Sequence, residues 1–571
     1  MTVALVGSGP ARDAVAAALA DVSEPVADVD PGGIAGADLA VVVGTAGDAA
    51  FRRANETARE SDCPWLAVEL GGLGGFPVVE AAVTGFGPTA GCYECLRARV
   101  AANAETDHGG TVDPSPETAR FAGAVAGREA VRFLAGHDSI VAGGIVEVPH
   151  TRRQFLPVPD CSCAAARDRS LAVESVDRTL EESLARAEQA VDERVGVVAE
   201  VGEFESFPAP YYLATLADTS GFSDATAGPQ AAGVDADWNA AFMAALGEGL
   251  ERYCAGVYRT AALERATPAD VAGAVHPSVF VRPDDGWADP SAATAIPWVT
   301  GRNLATEERV RIPAEFVHFP PPERRFRPAV TTGLGLGNGT VEALLSGLYE
   351  TVERDAAMLA WYSTFEPLGL DVSHEGFESL AARAESEGLS VTPLLLTQDV
   401  DVPVVAVAVT RETWPRLAFG LSAHLDATRA ARDALEEALQ NWVELRAMGE
   451  AEAADADGTI GRYARSPGDA AAFANPADVI PAASVGPETV PTGEAHLEAV
   501  VERVTDAGLS AYGARTTTRD VAAVGFEAVR VLVPAAQPLF FDDPYFGERA
   551  ATVPEALGFE PRLDRAHHPF P

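Results

Sequence analysis

The sequence predicts an α/β domain over residues 1–170 followed by a large α+β domain over residues 171–571. Three observations predict it. At 571 residues with 47% hydrophobic content, the chain is globular but too long for one ordinary core. Its first 170 residues alternate apolar strand-like runs with helical patterns, which is the mark of a parallel sheet. From about residue 196 the pattern changes to strands with fewer, longer helices.

Val3–Val6 is a short buried-strand run, Gly7-Ser8-Gly9-Pro10 a turn and Ala11–Ala20 a helix. Leu39–Val43 and Trp65–Leu70 continue the sheet. Residues 171–195 are charged and helical, with Leu180, Leu184, Ala187 and Val191 on one stripe. Helices are expected near 239–258, 341–362 and 428–449, and strands near 329–336, 392–396 and 403–409. Residues 449–458 contain only Gly, Glu, Ala and Asp and are expected to be an exposed loop.

The net charge is −42, from 84 acidic against 42 basic residues, and every one of those basic residues is Arg. This balance suits a high-salt cytoplasm, where surface acids keep a chain soluble. It argues against binding a nucleic-acid backbone, which needs a basic surface. The absence of Lys excludes a Walker A loop, a kinase-type strand lysine and a Schiff base. No stretch reaches the roughly 20 apolar residues of a membrane span, and Met1–Gly7 has no signal-like basic region, so the expected location is cytoplasmic.

The signature Glu-x-x-Glu-Arg occurs twice in helical patterns, at Glu248–Arg252 and Glu350–Arg354. Glu248 and Glu251 lie opposite the stripe Phe242, Leu246, Leu250, Tyr253. Glu350 and Glu353 lie opposite Val341, Leu345, Leu348, Val352. Two readings fit. One is a pair of solvated acidic faces, as expected for the similar pair Glu375 and Glu378. The other is that both faces turn onto one cleft, where crowded carboxylates would raise each other's pKa unless magnesium neutralised them. Magnesium would in turn point to nucleotide phosphate. The run Gly333-Leu334-Gly335-Leu336-Gly337-Asn338-Gly339 before the second pair reads either as a phosphate-cradling loop or as an ordinary glycine-rich turn. Asn338 and Glu342 could add oxygen ligands.

These residues together resemble the YcaO family. The resemblance rests on Gly247-Glu248-(x)2-Glu251-Arg252, on Gly337-Asn338-(x)3-Glu342-(x)7-Glu350-(x)2-Glu353-Arg354-Asp355, and on Leu439-Gln440-Asn441-Trp442-Val443-Glu444-Leu445-Arg446. It covers roughly residues 171–571. It implies an ATP cleft unlike a P-loop. Glu248, Glu251, Glu350 and Glu353 would hold magnesium, Asn338 and Glu342 would join them at the nucleotide, and Gln440 and Arg446 would contact nucleotide. Azoline-forming members end in Pro-x-Pro-x-Pro, a tail that reaches the active site. Here Pro569-Phe570-Pro571 matches its last part, with His567 in the first place, so Pro569 and Pro571 are the expected catalytic-tail residues. The chain departs from the family at Ala244 and Gly335, where Ser is usual, and at Gly228-Pro229-Gln230, where Gly-Lys-Gly is common.

Cys92-Tyr93-Glu94-Cys95 and Cys161-Ser162-Cys163 form CxxC…CxC, a four-thiolate set suited to a closed structural zinc site. Reduced or redox cysteines are the alternative. Residues 88–96 resemble the zinc hairpin of ubiquitin-activating-like (ThiF-like) proteins, over about residues 1–170. Such a domain is a known companion of azoline-forming YcaO proteins. Gly7-x-Gly9 lacks the third glycine of a dinucleotide fingerprint, Arg12 standing there, although Asp28 and Asp30 lie at ribose-binding distance in sequence. Residues before Val3 leave no room for a winged-helix leader-binding module. The resemblance thus implies ATP- and magnesium-dependent activation of peptide backbone amides, giving azolines at Cys, Ser or Thr of a ribosomally made precursor peptide. Thioamide formation and a non-catalytic scaffold are the alternatives. A separate leader-binding protein, a dehydrogenase and a homodimer are the partners it suggests.

Overall fold

The computed structural model describes residues 2–21, 26–88, 90–104, 113–163, 167–290, 293–455 and 460–571. A seven-stranded sheet organises the first part of the chain. Val3–Val6 lies between Val26–Asp28 and Leu39–Thr45, and Trp65–Leu70 follows, all parallel. Ala81–Phe86, Gly144–Glu147 and Thr151–Gln154 then add antiparallel. The expected parallel sheet therefore holds for four strands only. The connection 71–80 is too short for a helical crossover and folds as a hairpin-like return.

The described residues of the second part hold three sheets. Val198–Glu205, Tyr211–Leu216 and Gln230–Val234 form an antiparallel meander. Leu334–Gly337 closes a sheet with Glu527–Leu532, Tyr512–Arg515 and Ile296–Asn303. Leu417–Ala423, Val404–Thr410 and Ser390–Leu395 lead the third. The expected long helices are present as Trp238–Gly256, Thr340–Trp361 and Ala427–Met448.

Each of these helices follows a strand and packs on it through a glycine. A methyl group on Gly233 would collide with the backbone of Ala241 and Ala245. One on Gly335 would meet Ala343 and Gly347, and one on Gly420 would meet Ala434 and Ala438. Three strand–helix units thus share one close-packed construction: 230–256, 334–361 and 417–448. This also settles the glycine run before the second acidic helix: Leu334–Gly337 is a strand, glycine-rich so that it can lie flat on the helix.

Two local expectations fail. The 171–195 stripe yields only the short helix Leu180–Ala187 and a 3-10 turn over Glu188–Ala190, with Leu180 exposed. Within 449–458, Glu450–Asp455 is helical, because Ala and Glu are strong helix formers; residues 456–458 lie outside the described residues.

The two parts of the chain are tied by buried charge. Arg99 and Asp520, both fully buried, form an ion pair across them, and Tyr253 donates its hydroxyl proton to the same Asp520 carboxylate at 2.6 Å. Arg167 donates to the carbonyls of Val257, Thr516 and Thr517. Among the described residues, no helix is long and apolar enough to cross a membrane.

Candidate active site

The three strand–helix units place carboxylates in the same register. Eleven residues after each helix N-cap stands a glutamate: Glu248 after Asp237, Glu350 after Gly339 and Glu437 after Asp426. Each accepts a hydrogen bond from a backbone N–H on or beside its own unit's strand, Ala232 for Glu248, Gly333 for Glu350 and Leu421 for Glu437. Arg252 pairs with Glu248 at 2.6 Å and Arg354 with Glu350 at 2.9 Å, each one helical turn away. These contacts assign parts to the Glu-x-x-Glu-Arg signature. Its first Glu and its Arg lock the helix to the strand.

The second Glu is left free. Glu251 and Glu353 stand fourteen residues after their caps and have no hydrogen bond or ion pair among the described residues. Gln440 holds that place in the third unit. Glu251, Asn338, Glu342, Glu350 and Glu353 line one cleft of about 840 Å³. Burial, then the charges of Glu350 and Glu248, push the Glu251 carboxyl up to about 8. Burial, then Glu437, pushes Glu353 well above the carboxylate range. Burial raises Glu437 to about 7 and lifts Glu248 as well. The two acidic faces therefore turn inward. Glu375 and Glu378, by contrast, are exposed.

Asn338 and Glu342 brace one another. The Asn338 backbone and side-chain amides donate to Glu342 at 2.8 and 3.1 Å, while the Asn338 carbonyl oxygen accepts from Ser183 and Arg178. The first-turn N–H of Val341 is taken by the Glu174 carbonyl. Gln440 donates to Glu444 at 3.1 Å, and Glu444 also accepts from Tyr211 at 2.6 Å and repels Glu248. Arg446 stands apart from the cleft-lining set. It pairs with Glu205 at 2.6 Å and Glu387 at 3.6 Å, over the Trp442 ring. Glu437 and Glu444 were not singled out from the sequence, because the third unit reads Glu-x-x-Gln-Asn in place of Glu-x-x-Glu-Arg. Counting from the helix caps is the signal that finds Glu437.

The C-terminal tail is built into the core. Phe570 packs among Trp361, Phe419 and Phe473, with Pro569 buried and Pro571 half-buried. His568 donates to the Phe540 carbonyl at 2.7 Å. Its imidazole is held down to about 3 by burial and His567, with Arg354, the partner of Glu350, adding to the effect.

The four cysteines converge. Sγ–Sγ distances are 3.9 Å for Cys92–Cys95, 3.7 Å for Cys92–Cys161 and 3.5 Å for Cys95–Cys163, and all four atoms lie within 4.8 Å of one another. A tetrahedral ion with metal–sulfur bonds of about 2.3 Å places its sulfurs about 3.8 Å apart, so the set fits zinc. Arg519 donates to Cys163 at 3.2 Å.

Comparison with known proteins gives this geometry a context. An uncharacterized protein of Methanothermobacter thermautotrophicus is 29% identical over 337 residues, 56% of this chain and 84% of that one. Among solved structures, a heterocyclase in complex with substrate and cofactor superposes with a TM-score of 0.75 at 21% identity, over 98% of this chain and 83% of that chain. The heterocyclase TruD gives 0.68 at 21% identity, over 98% and 82%. YcaO from Methanopyrus kandleri, bound with AMPPCP and Mg2+, gives 0.50 at 24% identity, over 65% and 94%. At these identities the structures establish a shared fold. The family model described as YcaO cyclodehydratase, ATP- and Mg2+-binding, matches residues 232–537. That span is more than half of the sequence and holds the second and third strand–helix units whole and the first from its third residue on, so the chain belongs to the YcaO family of ATP-dependent cyclodehydratases.

Proposed function

We propose that this protein activates backbone amides of a ribosomally made peptide and forms azolines at its Cys, Ser or Thr residues. The observation that carries the reading is the pair of unpartnered carboxylates, Glu251 and Glu353, on two helices lining one cleft and raised first by burial and then by neighbouring carboxylates. In this reading a side chain of the peptide attacks the preceding carbonyl. The carbonyl oxygen takes the γ-phosphate of ATP, and phosphate then leaves with that oxygen, so that the peptide loses one water. An amide oxygen is a poor leaving group and phosphate a good one. Magnesium, when bound, would neutralise phosphate charge.

Glu251 and Glu353 are assigned to the cation. Glu248 and Glu350, locked by Arg252 and Arg354, hold those two in place and add negative field. Asn338 and Glu342 order the entry to the second helix, and Gln440 with Glu444 presents the third. Arg446 is assigned to nucleotide at the far end, where Glu205 and Glu387 would release it. Pro569 to Pro571 are assigned to ordering the site beside Arg354. Cys92, Cys95, Cys161 and Cys163 are assigned to a structural zinc in a ThiF-like partner domain, and the acidic surface to a high-salt setting.

The test is incubation of the purified protein in high salt with magnesium-ATP and the short peptides encoded beside its gene. The reading requires phosphate release coupled to a mass loss of one water per modified residue. Exchange of oxygen for sulfur would move the assignment to thioamide chemistry, and phosphate release without any mass change would refute peptide modification.

A further inference from the structure

The cleft has a second wall that the carboxylates do not explain. Tyr349, from the helix that carries Glu350, meets His424, just past the strand Leu417–Ala423, and His496, in the first turn of the helix Glu494–Asp506. All three line the cleft. The rings sit 5.2 Å (Tyr349–His424), 5.8 Å (Tyr349–His496) and 5.3 Å (His424–His496) apart.

A backbone donor fixes the His424 tautomer, and a hydroxyl contact bears on that of His496. The Leu425 N–H donates to the Tyr349 hydroxyl at 3.2 Å, and the same hydroxyl shares a 2.6 Å hydrogen bond with His496 Nε2, which we read with Tyr349 as the donor. The proton of a neutral His496 then sits on Nδ1. His424 accepts the Asp426 N–H on Nδ1 at 2.9 Å, so its proton sits on Nε2. His496 Nδ1 and His424 Nε2 have no hydrogen-bond partner among the described residues, and neither is among the fully buried unsatisfied atoms. Both nitrogens therefore keep some exposure on the cleft side. Burial and Arg429 hold both imidazoles below the ordinary histidine range, His424 at about 4, so both are neutral near pH 7. Asp426, at the cap of the third helix, also acts on His424, and Asp433, Asp177, Arg178, Glu342, Glu350 and Glu353 line the same cleft.

We infer that His424 and His496 form a neutral donor pair that holds the carbonyl oxygen of the substrate amide across from the Glu251–Glu353 wall. This rests on the azoline reading above. The peptide oxygen must lie between the phosphate and whatever stabilises its developing negative charge. Two preorganised N–H donors in a cleft do that without needing to gain or lose a proton. Tyr349 is the positioning residue, since it sets the His496 tautomer.

Two experiments test this. Selective 15N-histidine labelling of the full chain reads the tautomers directly and needs no substrate. His424 protonated on Nε2 and His496 on Nδ1 are expected at pH 7, and the opposite tautomer or an imidazolium at either position overturns the donor pair even if the azoline reading stands. With the precursor peptide that the phosphate-release assay identifies, His424→Phe and His496→Phe should each lower kcat by about a hundredfold, while the KM for ATP stays within about threefold. His424→Gln and His496→Asn return an N–H near the lost one and should recover about tenfold of that loss. The proposal fails if the Phe variants keep kcat within about threefold, if the amide variants rescue no better than Phe, or if the substitutions remove an acid limb from the pH–rate profile, which would make the histidines bases. Failure to find any modified peptide would refute the azoline reading and leave the labelling result standing.

Discussion

Magnesium binding to this cleft should be strongly pH-dependent, because the cation must displace protons. Burial and the charges of Glu350 and Glu248 push the Glu251 carboxyl up to about 8. If Glu251 must be ionised to bind, the apparent affinity falls by the factor 1 + 10^(8 − pH). Between pH 9 and pH 6 that is about 90-fold, or about 2.7 kcal/mol. Glu353 is raised in the same direction and can only steepen the slope. The sign also extends to stability. Without metal, a folded-state value above the unfolded one favours folding at acid pH. That contribution is complete below the unfolded glutamate value of about 4.3 and is lost as pH rises through about 8. Added magnesium should therefore raise the melting temperature more at pH 9 than at pH 6. Calorimetric titration in two buffers of different ionisation enthalpy, at fixed ionic strength, counts the protons released. About 0.9 proton or more is expected at pH 7 from Glu251 alone. Affinity flat within about threefold across this range, with no proton release, would refute the assignment of Glu251 to the cation. Glu251→Gln should bind magnesium more weakly at pH 9 and flatten the dependence.

Four further outcomes follow from the geometry. Cys92→Ser should lose zinc by elemental analysis, since the remaining three sulfurs leave the tetrahedron open; unchanged metal content would refute the four-thiolate site. Phe570→Ala should cost about 3–5 kcal/mol in denaturant unfolding, because the ring is enclosed by Trp361, Phe419 and Phe473. Removal of Pro571 alone should leave stability nearly unchanged and lower kcat more than it raises the KM for ATP, and an equal effect on both would count against a tail role at the reacting centre. Asp520→Ala should destabilise by about 3–5 kcal/mol, since it strands the buried Arg99 guanidinium and removes the acceptor of Tyr253. A loss under about 1 kcal/mol would show that water relieves that charge.

The site was legible in the sequence only as far as its chemistry was local. Glu248/Glu251, Glu350/Glu353 and Glu375/Glu378 have the same spacing, and spacing alone cannot separate them. In the structure the third pair is exposed on the helix Glu375–Ser386, while Glu251, Glu350 and Glu353 of the first two line one cleft. What separates them is nonlocal: the glycine that lets a strand lie against the helix, and the strand N–H that holds the first glutamate. The Arg of the signature was the visible trace of that lock, since it pairs within its own helix. The glycine run 333–339, which overlaps the strand expected near 329–336, was legible as a strand but not in what its glycines approach. Glycine permits close approach of backbone to a ligand and of backbone to a helix alike, and the partner is chosen by the fold. The same nonlocality hid Glu437. Its unit has lost the signature's second Glu and its Arg, and only the eleven-residue register from the N-cap shows it standing where Glu248 and Glu350 stand. The register also makes Gln440 intelligible. A third free carboxylate at that place would add negative charge to a cleft that already holds Glu251 and Glu353 well above their ordinary values. A neutral amide keeps an oxygen and a donor there while sparing that one repulsion, in a unit whose Glu437 and Glu444 already raise Glu353 and Glu248 with no signature arginine beside them.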